Sequence, residues 1–496
     1  MSYLYGASVQ GIQGFIFETN KLREIVGASE LVEQICTTMF QNAVPNFQSE
    51  NLIIGAAGNI KYIFDNKNDC QTLVRIFPKM VMTEAPGVTI SQAVVEYQNS
   101  LEKENIATLE SKLRIQRNKT TVQHGLGLMI TERSRRTGKS GIGWKNKNKE
   151  DAAVIDLGQK NKTAKSKEAK DTLLNKILHE GHNLGDNRFP SDINHIVKKQ
   201  EREWIAVVHA DGNNLGKVIM KMADELPQEH TKDAFIEFSI RLEKATVMAA
   251  SEAFYDVIYN KLEDHEYLPI RPVILGGDDL TVIIRGDLAM DFTERFLIFF
   301  EKHTKEQFKY FGTTYGLEDF DGCLTACAGI AYIKPNYPFH YGVKLSEKLC
   351  ENSKNIAKKI NKNNTPSCIS FHKVQGSFIE NYKDIVEQEL CASGVQFNYG
   401  PYFIKEQHGF ATVCQLKNWT KEIKKEDAPK GPLRNWLSDL QVNKEKASQQ
   451  LDRIKTLNKK YVSRLSLSSN DIFTKRSDKT YTHIFDVITL ATIEKK

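Results

Sequence analysis

The sequence predicts an α+β protein with two ferredoxin-like domains and a helical C-terminal domain. Apolar strands and amphipathic helices in residues 3–90 follow the order β-α-β-β-α-β, which is the ferredoxin-like arrangement. Residues 203–375 repeat this alternation around an acidic hairpin. After residue 400, apolar residues recur at helical spacing. We therefore predict domains at 1–100, 101–202, 203–380 and 381–496.

Size and composition exclude several classes of protein. A chain of 496 residues is too long for one ordinary core, and 40% hydrophobic with 26% charged residues is typical of a soluble protein. The sequence has no 18-residue apolar run and no basic N-terminal segment before a hydrophobic one, so we predict a cytoplasmic protein without a membrane span. Eight cysteines without a CxxC pair argue against a zinc ribbon or a disulfide framework.

The first ferredoxin-like domain is predicted from its strands and helices in order. Residues 3–16 form a strand that runs into a glycine-rich turn, and apolar residues between 22 and 35 have helical spacing. A hairpin at 51–64, a helix at 69–84 and a strand at 87–90 complete the β-α-β-β-α-β order.

An acidic hairpin marks the second domain. Gly276-Gly277-Asp278-Asp279 lies between the apolar β-branched segments 270–274 and 282–284, which predicts a tight turn between two strands. Two adjacent carboxylates at a hairpin tip repel one another unless a cation lies between them, and glycines allow a ligand to approach the backbone. On this stretch alone, a plain surface turn is the alternative.

A second motif strengthens the prediction of a metal site. The apolar strand from Trp204 ends at Asp211 and continues into a Gly/Asn turn and a helix. Carboxylates from neighbouring strands suit Mg²⁺ or Mn²⁺, and two such ions favour in-line displacement at phosphorus. Backbone N–H groups at the start of the helix are expected to meet a triphosphate. The residues of this predicted phosphate loop are Gly212, Asn213, Asn214, Leu215 and Gly216.

Four motifs together resemble one protein family. They are V-H-A-D-G-N-N-L-G at 208–216, L-G-G-D-D-L at 275–280, A-C-A-G-I-A at 326–331 and Y-P-F at 337–339. In combination they are similar to the nucleotidyl-cyclase palm of the large subunit of type III CRISPR effector complexes. We call residues 1–100 the first palm and residues 203–380 the second palm.

This resemblance implies the site and the reaction. Asp211 and Asp278 would bind Mg²⁺ or Mn²⁺, with Asp279 as an alternate ligand, and Gly276 and Gly277 would join the phosphate loop in binding ATP. The implied product is cyclic oligoadenylate or a conjugate of AMP with S-adenosylmethionine. The implied partners are the other subunits of the ribonucleoprotein, guide RNA and target RNA. None of the 12 histidines is followed by Asp, so we expect no HD nuclease in this chain.

The first palm is predicted to be a copy that has lost its carboxylates. Gly55-Ala56-Ala57-Gly58-Asn59 takes the place of the acidic hairpin, and Val9-Gln10-Gly11 takes that of Ala210-Asp211-Gly212. Such a domain cannot hold the metals but can form a wall of the nucleotide site. The alternative is two unrelated α+β domains. The resemblance also implies that residues 27–31 face the second palm.

Two groups of basic residues are candidates for phosphate contact. Arg133–Lys170 contains 12 Lys/Arg against 4 Asp/Glu, which indicates either RNA-backbone contact or a solvated, flexible insertion. On the helix predicted at 341–360, Lys354 and Lys358 share one face and can reach a triphosphate if that face points at the metals. Simple solvation is the alternative for both lysines.

The C-terminal region and the overall function leave alternatives open. Helical patterns at 410–423, 432–442 and 447–461 predict a small bundle, which the resemblance assigns to docking on small partner subunits. The main hypothesis is an ATP-using nucleotidyl transferase. The alternatives are a free-standing cyclic-nucleotide synthase and a non-catalytic ribonucleoprotein scaffold.

Overall fold

Two β-sheets that share an internal strand order form the framework, and helices pack on both. This architecture confirms the predicted α+β class with two ferredoxin-like domains. None of the helices in the described part of the chain is both long and apolar enough to cross a bilayer. The structure is a computed structural model that describes residues 1–56, 58–98, 101–119, 130–147, 152–168, 172–178, 188–197, 204–227, 230–262, 267–315, 323–376, 382–468 and 471–494.

The first palm is an antiparallel sheet with helices on it. Its elements are β1 (Ser2–Gln10), α1 (Ile12–Ile16), α2 (Leu22–Cys36), α3 (Thr38–Ala43), β2 (Leu52–Ala56), β3 (Asn59–Phe64), α4 (Lys67–Glu84) and β4 (Thr89–Tyr97). The strand order is β2-β3-β1-β4, as a ferredoxin-like domain requires. Ala57, at the hairpin turn, lies outside the described residues.

The segment predicted as a linker packs against both palms. Its elements are α5 (Lys103–Arg117), β5 (Gly143–Lys145), β6 (Ala153–Ile155), α6 (Leu157–Glu168), α7 (Thr172–Ile177) and α8 (Ile193–Ile196). Helix α5 buries Leu109 and Leu113 in one core with Leu4 and Val95 of the sheet. Helix α6 lies so close to α2 that a Cβ added to Gly27 would be 1.8 Å from the carbonyl oxygen of Lys162.

Part of the basic stretch pairs with acids of the first palm. The buried Lys162 Nζ donates to the carbonyl oxygen of Phe15 at 2.6 Å and to the Glu18 carboxylate at 2.9 Å. Lys139 pairs with Glu18 at 2.7 Å, and Arg136 pairs with Glu24 at 2.8 Å. Residues 148–151 and 169–170 of the stretch lie outside the described residues. RNA contact therefore remains a prediction for the other basic residues.

The second palm repeats the first and extends it. Its elements are β7 (Ile205–Gly212), α9 (Leu215–Glu225), α10 (Thr231–Val257), β8 (Ile270–Gly276), β9 (Asp279–Arg285), α11 (Gly286–Tyr315), β10 (Ala326–Ile333), α12 (Phe339–Ile360) and β11 (Cys368–Lys373). The order β8-β9-β7-β10 matches β2-β3-β1-β4, and β11 adds a strand parallel to β10.

The register of the two sheets corrects the predicted correspondence between the palms. Asp211 pairs with Asp279 across β7 and β9, and Ser8 pairs with Asn59 across β1 and β3. Each hairpin turn is two residues long, so Ser8, not Gln10, occupies the position of Asp211. The predicted match of Gln10 with Asp211 is therefore wrong by two residues. The first palm still lacks the carboxylates at these positions.

A left-handed residue explains the shift. Gly11 has φ 71° and precedes α1, and Asn214 has φ 61° and precedes α9. Glycine and asparagine both tolerate this conformation, so Gly11 and Asn214 occupy equivalent positions in the strand-to-helix turns of the two palms. The predicted correspondence matches Gly11 with Gly212, whereas the backbone conformation matches Gly11 with Asn214.

The C-terminal region contains the predicted helices and a sheet that was not predicted. Its elements are α13 (Tyr382–Gln388), β12 (Cys391–Ala392), β13 (Val395–Gln396), β14 (Tyr402–Phe403), α14 (Val413–Ile423), α15 (Lys430–Val442), α16 (Lys444–Leu457), α17 (Lys459–Arg464), β15 (Thr474–Arg476), β16 (Lys479–Tyr481) and α18 (Ile484–Ile493). Four strands form a small sheet in the order β12-β13-β16-β15. Strand β14 instead joins the second palm beside β11.

Alternation along β7 determines which side of the sheet carries the candidate site. Ile205 and Val207 belong to a core shared with the first palm, whereas Val208 packs on the other side with α10 and α11. Successive side chains of a strand point to opposite faces. His209 and Asp211 therefore continue the row that faces the first palm.

Candidate metal and nucleotide site

Two of the predicted acids meet beside a histidine. Asp211 at the end of β7 is the cross-strand partner of Asp279, the first residue of β9. Side chains of directly paired residues lie on one face and within reach of each other. One ligand atom from each of Asp211, Asp279 and His209 lies within 4.8 Å of the others. The fold thus brings two carboxylates from neighbouring strands together, as the motifs predict.

Asp278 sits in the turn beside this group. A Cβ added to Gly212 would lie 2.7 Å from Asp278 Oδ2, so Gly212 leaves the space that this side chain fills. Gly277 has φ 60°, and its carbonyl oxygen accepts from Thr246 Oγ1 at 2.5 Å, which holds the turn. The resemblance ranks Asp278 above Asp279 as a ligand. In the structure Asp279 has the position opposite Asp211.

Lys354 reaches the site and Lys358 does not. The Lys354 ammonium forms an ion pair with the Asp211 carboxylate and donates to the carbonyl oxygen of Gly212 at 2.8 Å. Lys358, one turn further along α12, is exposed at the surface. The position of the ammonium identifies a carboxylate and a backbone carbonyl that together attract a cation.

Crowding and burial perturb the hairpin acids. Burial, and then the negative charge of Asp211, raises the pKa of Asp278 to about 6. Burial and the charges of Asp278 and Asp211 raise the pKa of Asp279 well above its ordinary value. A divalent cation would relieve this repulsion, and carboxylate and carbonyl oxygens are the ligands that Mg²⁺ and Mn²⁺ take. The residues present therefore fit a divalent metal.

The predicted phosphate loop is only partly available to a ligand. The Gly212 N–H donates to the Asp278 carbonyl at 3.3 Å, and the Asn213 N–H donates to the Thr325 carbonyl at 2.7 Å. These two N–H groups are engaged within the protein, so the prediction that they bind phosphate is not supported. Leu215 and Gly216 open helix α9, where an anion would meet the helix N-terminus.

The two asparagines tie the loop to the strand connections behind it. Asn213 Nδ2 donates to Thr325 Oγ1 at 3.0 Å, and its Oδ1 is buried without a hydrogen-bond partner among the described residues. Asn214 Nδ2 donates to Thr365 Oγ1 at 3.0 Å. Asn213 and Asn214 thus position the loop, a role that the motif alone does not reveal.

A cavity of about 350 Å³ lies between the palms. The first palm lines it with Gln13 and Ser29, and the second palm lines it with Gly276, Asp279 and Val273. Ser29 Oγ donates a hydrogen bond to the Val273 carbonyl, so the segment at 27–31 faces the second palm as the resemblance implies. Asp279 opens into this cavity.

Sequence reasoning missed two polar residues near the acids. His209 Nδ1 lies 3.0 Å from Thr281 Oγ1, and burial lowers its pKa to about 4. Burial raises the pKa of Glu347 on α12 to about 7, although a hydrogen bond from Gln13 of the first palm acts to lower it. Spacing gave a signal for both: His209 is two residues before Asp211 on a strand, and Glu347 is two helical turns before Lys354.

Comparison with known proteins shows similarity to one family and to several solved structures. Residues 204–365 match the family Cas10/Cmr2, second palm domain. The fold is similar to a chain of the Csm1-Csm4 subcomplex in the type III-A CRISPR-Csm interference complex (TM-score 0.55, 13% identity, 99% of this chain and 70% of that chain). No curated protein has significant sequence similarity to the chain.

Two further solved structures share the fold and carry nucleotides. The Csm1-Csm4 cassette in complex with one ATP matches at TM-score 0.53 and 13% identity over 100% of this chain and 70% of that chain. The cassette in complex with cA4 matches at TM-score 0.52 and 12% identity over 99% of this chain and 70% of that chain. Residues 204–365 thus match the second palm domain of Cas10/Cmr2, and the chain has the fold of a chain in the Csm1-Csm4 structures.

Proposed function

We propose that this protein is a metal-dependent nucleotidyl transferase of a type III CRISPR complex, which uses ATP to make a signalling nucleotide when the complex binds target RNA. The observation that carries the proposal is the convergence of Asp211, Asp279 and Lys354 beside the cavity between the palms. Structures of the same fold have been solved with ATP and with cA4, which supports this substrate and a cyclic oligoadenylate product.

Each residue has a role in this proposal. Asp211 and Asp279 hold Mg²⁺ or Mn²⁺, and Asp278 adds negative charge beside them. A bound divalent metal would neutralise charge on the triphosphate and lower the pKa of the attacking hydroxyl. Lys354, released from Asp211, binds phosphate oxygens, and the N-terminus of α9 faces the same group. Gly276 and Gly277 let the nucleotide approach the hairpin backbone.

The asymmetry of the palms favours this function over a symmetric free-standing synthase. Ser8, Gly58 and Asn59 stand where the second palm has Asp211, Asp278 and Asp279. Among the described residues of the two palms, the carboxylate pair of the proposed metal site belongs to the second palm, and the first palm supplies a wall through Gln13 and Ser29. Clustered carboxylates with raised pKa values are typical of functional sites, which argues against a purely structural scaffold.

The partners and the exact product are part of the proposal. We infer that the protein works in the cytoplasm with the other subunits, guide RNA and target RNA. The product is cyclic oligoadenylate or the conjugate of AMP with S-adenosylmethionine. Mass spectrometry of the product from ATP, with and without S-adenosylmethionine, distinguishes the two.

The test compares carboxylate variants in the assembled complex. We expect Asp211→Asn, and the double variant Asp278→Ala with Asp279→Ala, to abolish product formation from labelled ATP with normal assembly. Asp478→Asn is the matched control, because Asp478 is an exposed aspartate in the two-residue turn between β15 and β16. Product formation by the double variant at the wild-type rate would overturn the site. Full activity of the isolated chain without RNA would favour the free-standing synthase.

A further inference from the structure

His209 lies in the same row of side chains as the proposed metal ligands. It precedes Asp211 by two residues on β7, and its cross-strand partner Thr281 follows Asp279 by two residues on β9. The four side chains therefore share the sheet face towards the first palm. A ring nitrogen of His209 lies within 4.8 Å of a carboxylate oxygen of both Asp211 and Asp279.

The surroundings of His209 prepare its imidazole to bind a metal ion. The contact between Nδ1 and Thr281 Oγ1, at 3.0 Å, fixes the rotation of the ring. A metal-binding histidine uses one ring nitrogen as the ligand, and a hydrogen bond at the second ring nitrogen commonly orients it.

A purely structural role would explain less of the geometry. The bond to Thr281 satisfies one ring nitrogen and needs no neighbouring acids. Yet the ring stands in the row where Lys354 already brings a cation to Asp211 and to the Gly212 carbonyl. Three protein ligands would leave the remaining positions of an octahedral ion for phosphate oxygens and water.

We propose that His209 supplies a nitrogen ligand to the metal ion held by Asp211 and Asp279, and that the site consequently prefers Mn²⁺ to Mg²⁺. This inference rests on the proposed metal site. Mg²⁺ takes oxygen ligands almost exclusively, whereas imidazole is a good ligand for divalent transition metals. A nitrogen ligand therefore moves the selectivity of an otherwise oxygen-lined site away from Mg²⁺.

The test measures Mn²⁺ bound to the full chain, with and without a non-hydrolysable ATP analogue. Electron spin echo envelope modulation detects ¹⁴N of a coordinated imidazole, and the free-ion resonance gives the Mn²⁺ affinity. We expect ¹⁴N modulation in the wild type, its loss in His209→Gln, and a roughly 10- to 100-fold weaker Mn²⁺ affinity in that variant. His408→Gln, at an exposed histidine, is the control and should match the wild type.

Competition with Mg²⁺ supplies a second readout. The concentration of Mg²⁺ needed to displace Mn²⁺ should fall in His209→Gln, because the substitution weakens Mn²⁺ more than Mg²⁺. Two results together would overturn this inference and leave the proposed function standing. The first is Mn²⁺ binding that requires Asp211 and Asp279 but shows no ¹⁴N modulation. The second is Mg²⁺ competition in His209→Gln that equals that of the wild type. Absence of Mn²⁺ binding both with and without the ATP analogue would overturn this inference and the proposed function.

Discussion

Replacing Asp278 with Asn should make the metal-free protein more stable. The folded state raises the pKa of this carboxyl to about 6 from an ordinary 3.8. Ionising it therefore costs more in the folded protein than in the unfolded chain. A tenfold change in an acid constant is worth about 1.4 kcal/mol, so the ionised side chain destabilises the fold by up to about 3 kcal/mol. Asn has nearly the same shape and carries no charge.

The pH dependence of this effect follows from the sign of the shift. Below about pH 3, the carboxyl is protonated in both states, and the substitution should leave the free energy of unfolding unchanged. Between about pH 3 and pH 6, the unfolded chain ionises first, so the wild type loses stability relative to Asp278→Asn. Above about pH 6 the difference reaches its full value.

Urea unfolding in metal-free buffer at about pH 3, 5 and 7.5 measures this difference. Asp478→Asn serves as the control and should show no change at any pH, since Asp478 is exposed. Added Mn²⁺ should stabilise the wild type, by about 2.7 kcal/mol at a hundred times the dissociation constant, and should stabilise Asp278→Asn less. Equal stability of Asp278→Asn and wild type at pH 7.5, or a difference that persists at about pH 3, would refute the reasoning.

Three further predictions test individual contacts of the site. Gly212→Ala should lose about 1–3 kcal/mol of stability in urea unfolding, because the added Cβ would contact Asp278. Gly216→Ala is the control and should lose none, because Gly216 faces open space. Equal losses in the two variants would contradict this prediction. Lys354→Met should lower kcat/KM for ATP roughly 10- to 100-fold by removing a charged hydrogen bond, and exposed Lys358→Met should not; matching losses would disprove the assignment. Ser29→Ala should cost about 1 kcal/mol of unfolding free energy by removing the bond to Val273, and an unchanged midpoint would argue against that contact.

Local pattern was sufficient to locate the elements that carry the acids. Alternating apolar residues identified β7 and the hairpin of β8 and β9, and the two glycines identified the turn. Which acid faces Asp211 depends on the register of β7 against β9, which a pattern of period two does not specify along the strand. The position of Asp279 opposite Asp211, with Asp278 in the turn, therefore required the structure.

Composition was a poor guide where polar residues are buried. Lys162 belongs to a run of basic residues that is predicted to lie at the protein surface. Its side chain is instead buried against Glu18, 144 residues earlier in the chain. Periodicity cannot detect such a distant partner. The strands β12, β13, β15 and β16 were missed for another reason, since two or three residues are too few to show alternation.

The placement of β14 determines how the protein can be divided for experiments. A fragment that stops near residue 380 would lose Tyr402 and Phe403 and leave the backbone of β11 unpaired along one side. Unpaired edges recruit other chains, so such a fragment should aggregate. Asp486 accepts a hydrogen bond from the Tyr402 hydroxyl at 2.8 Å, and so even a fragment ending just after β14 would lose an anchor. A truncation intended to isolate the sheet of the second palm must therefore keep the chain through α18.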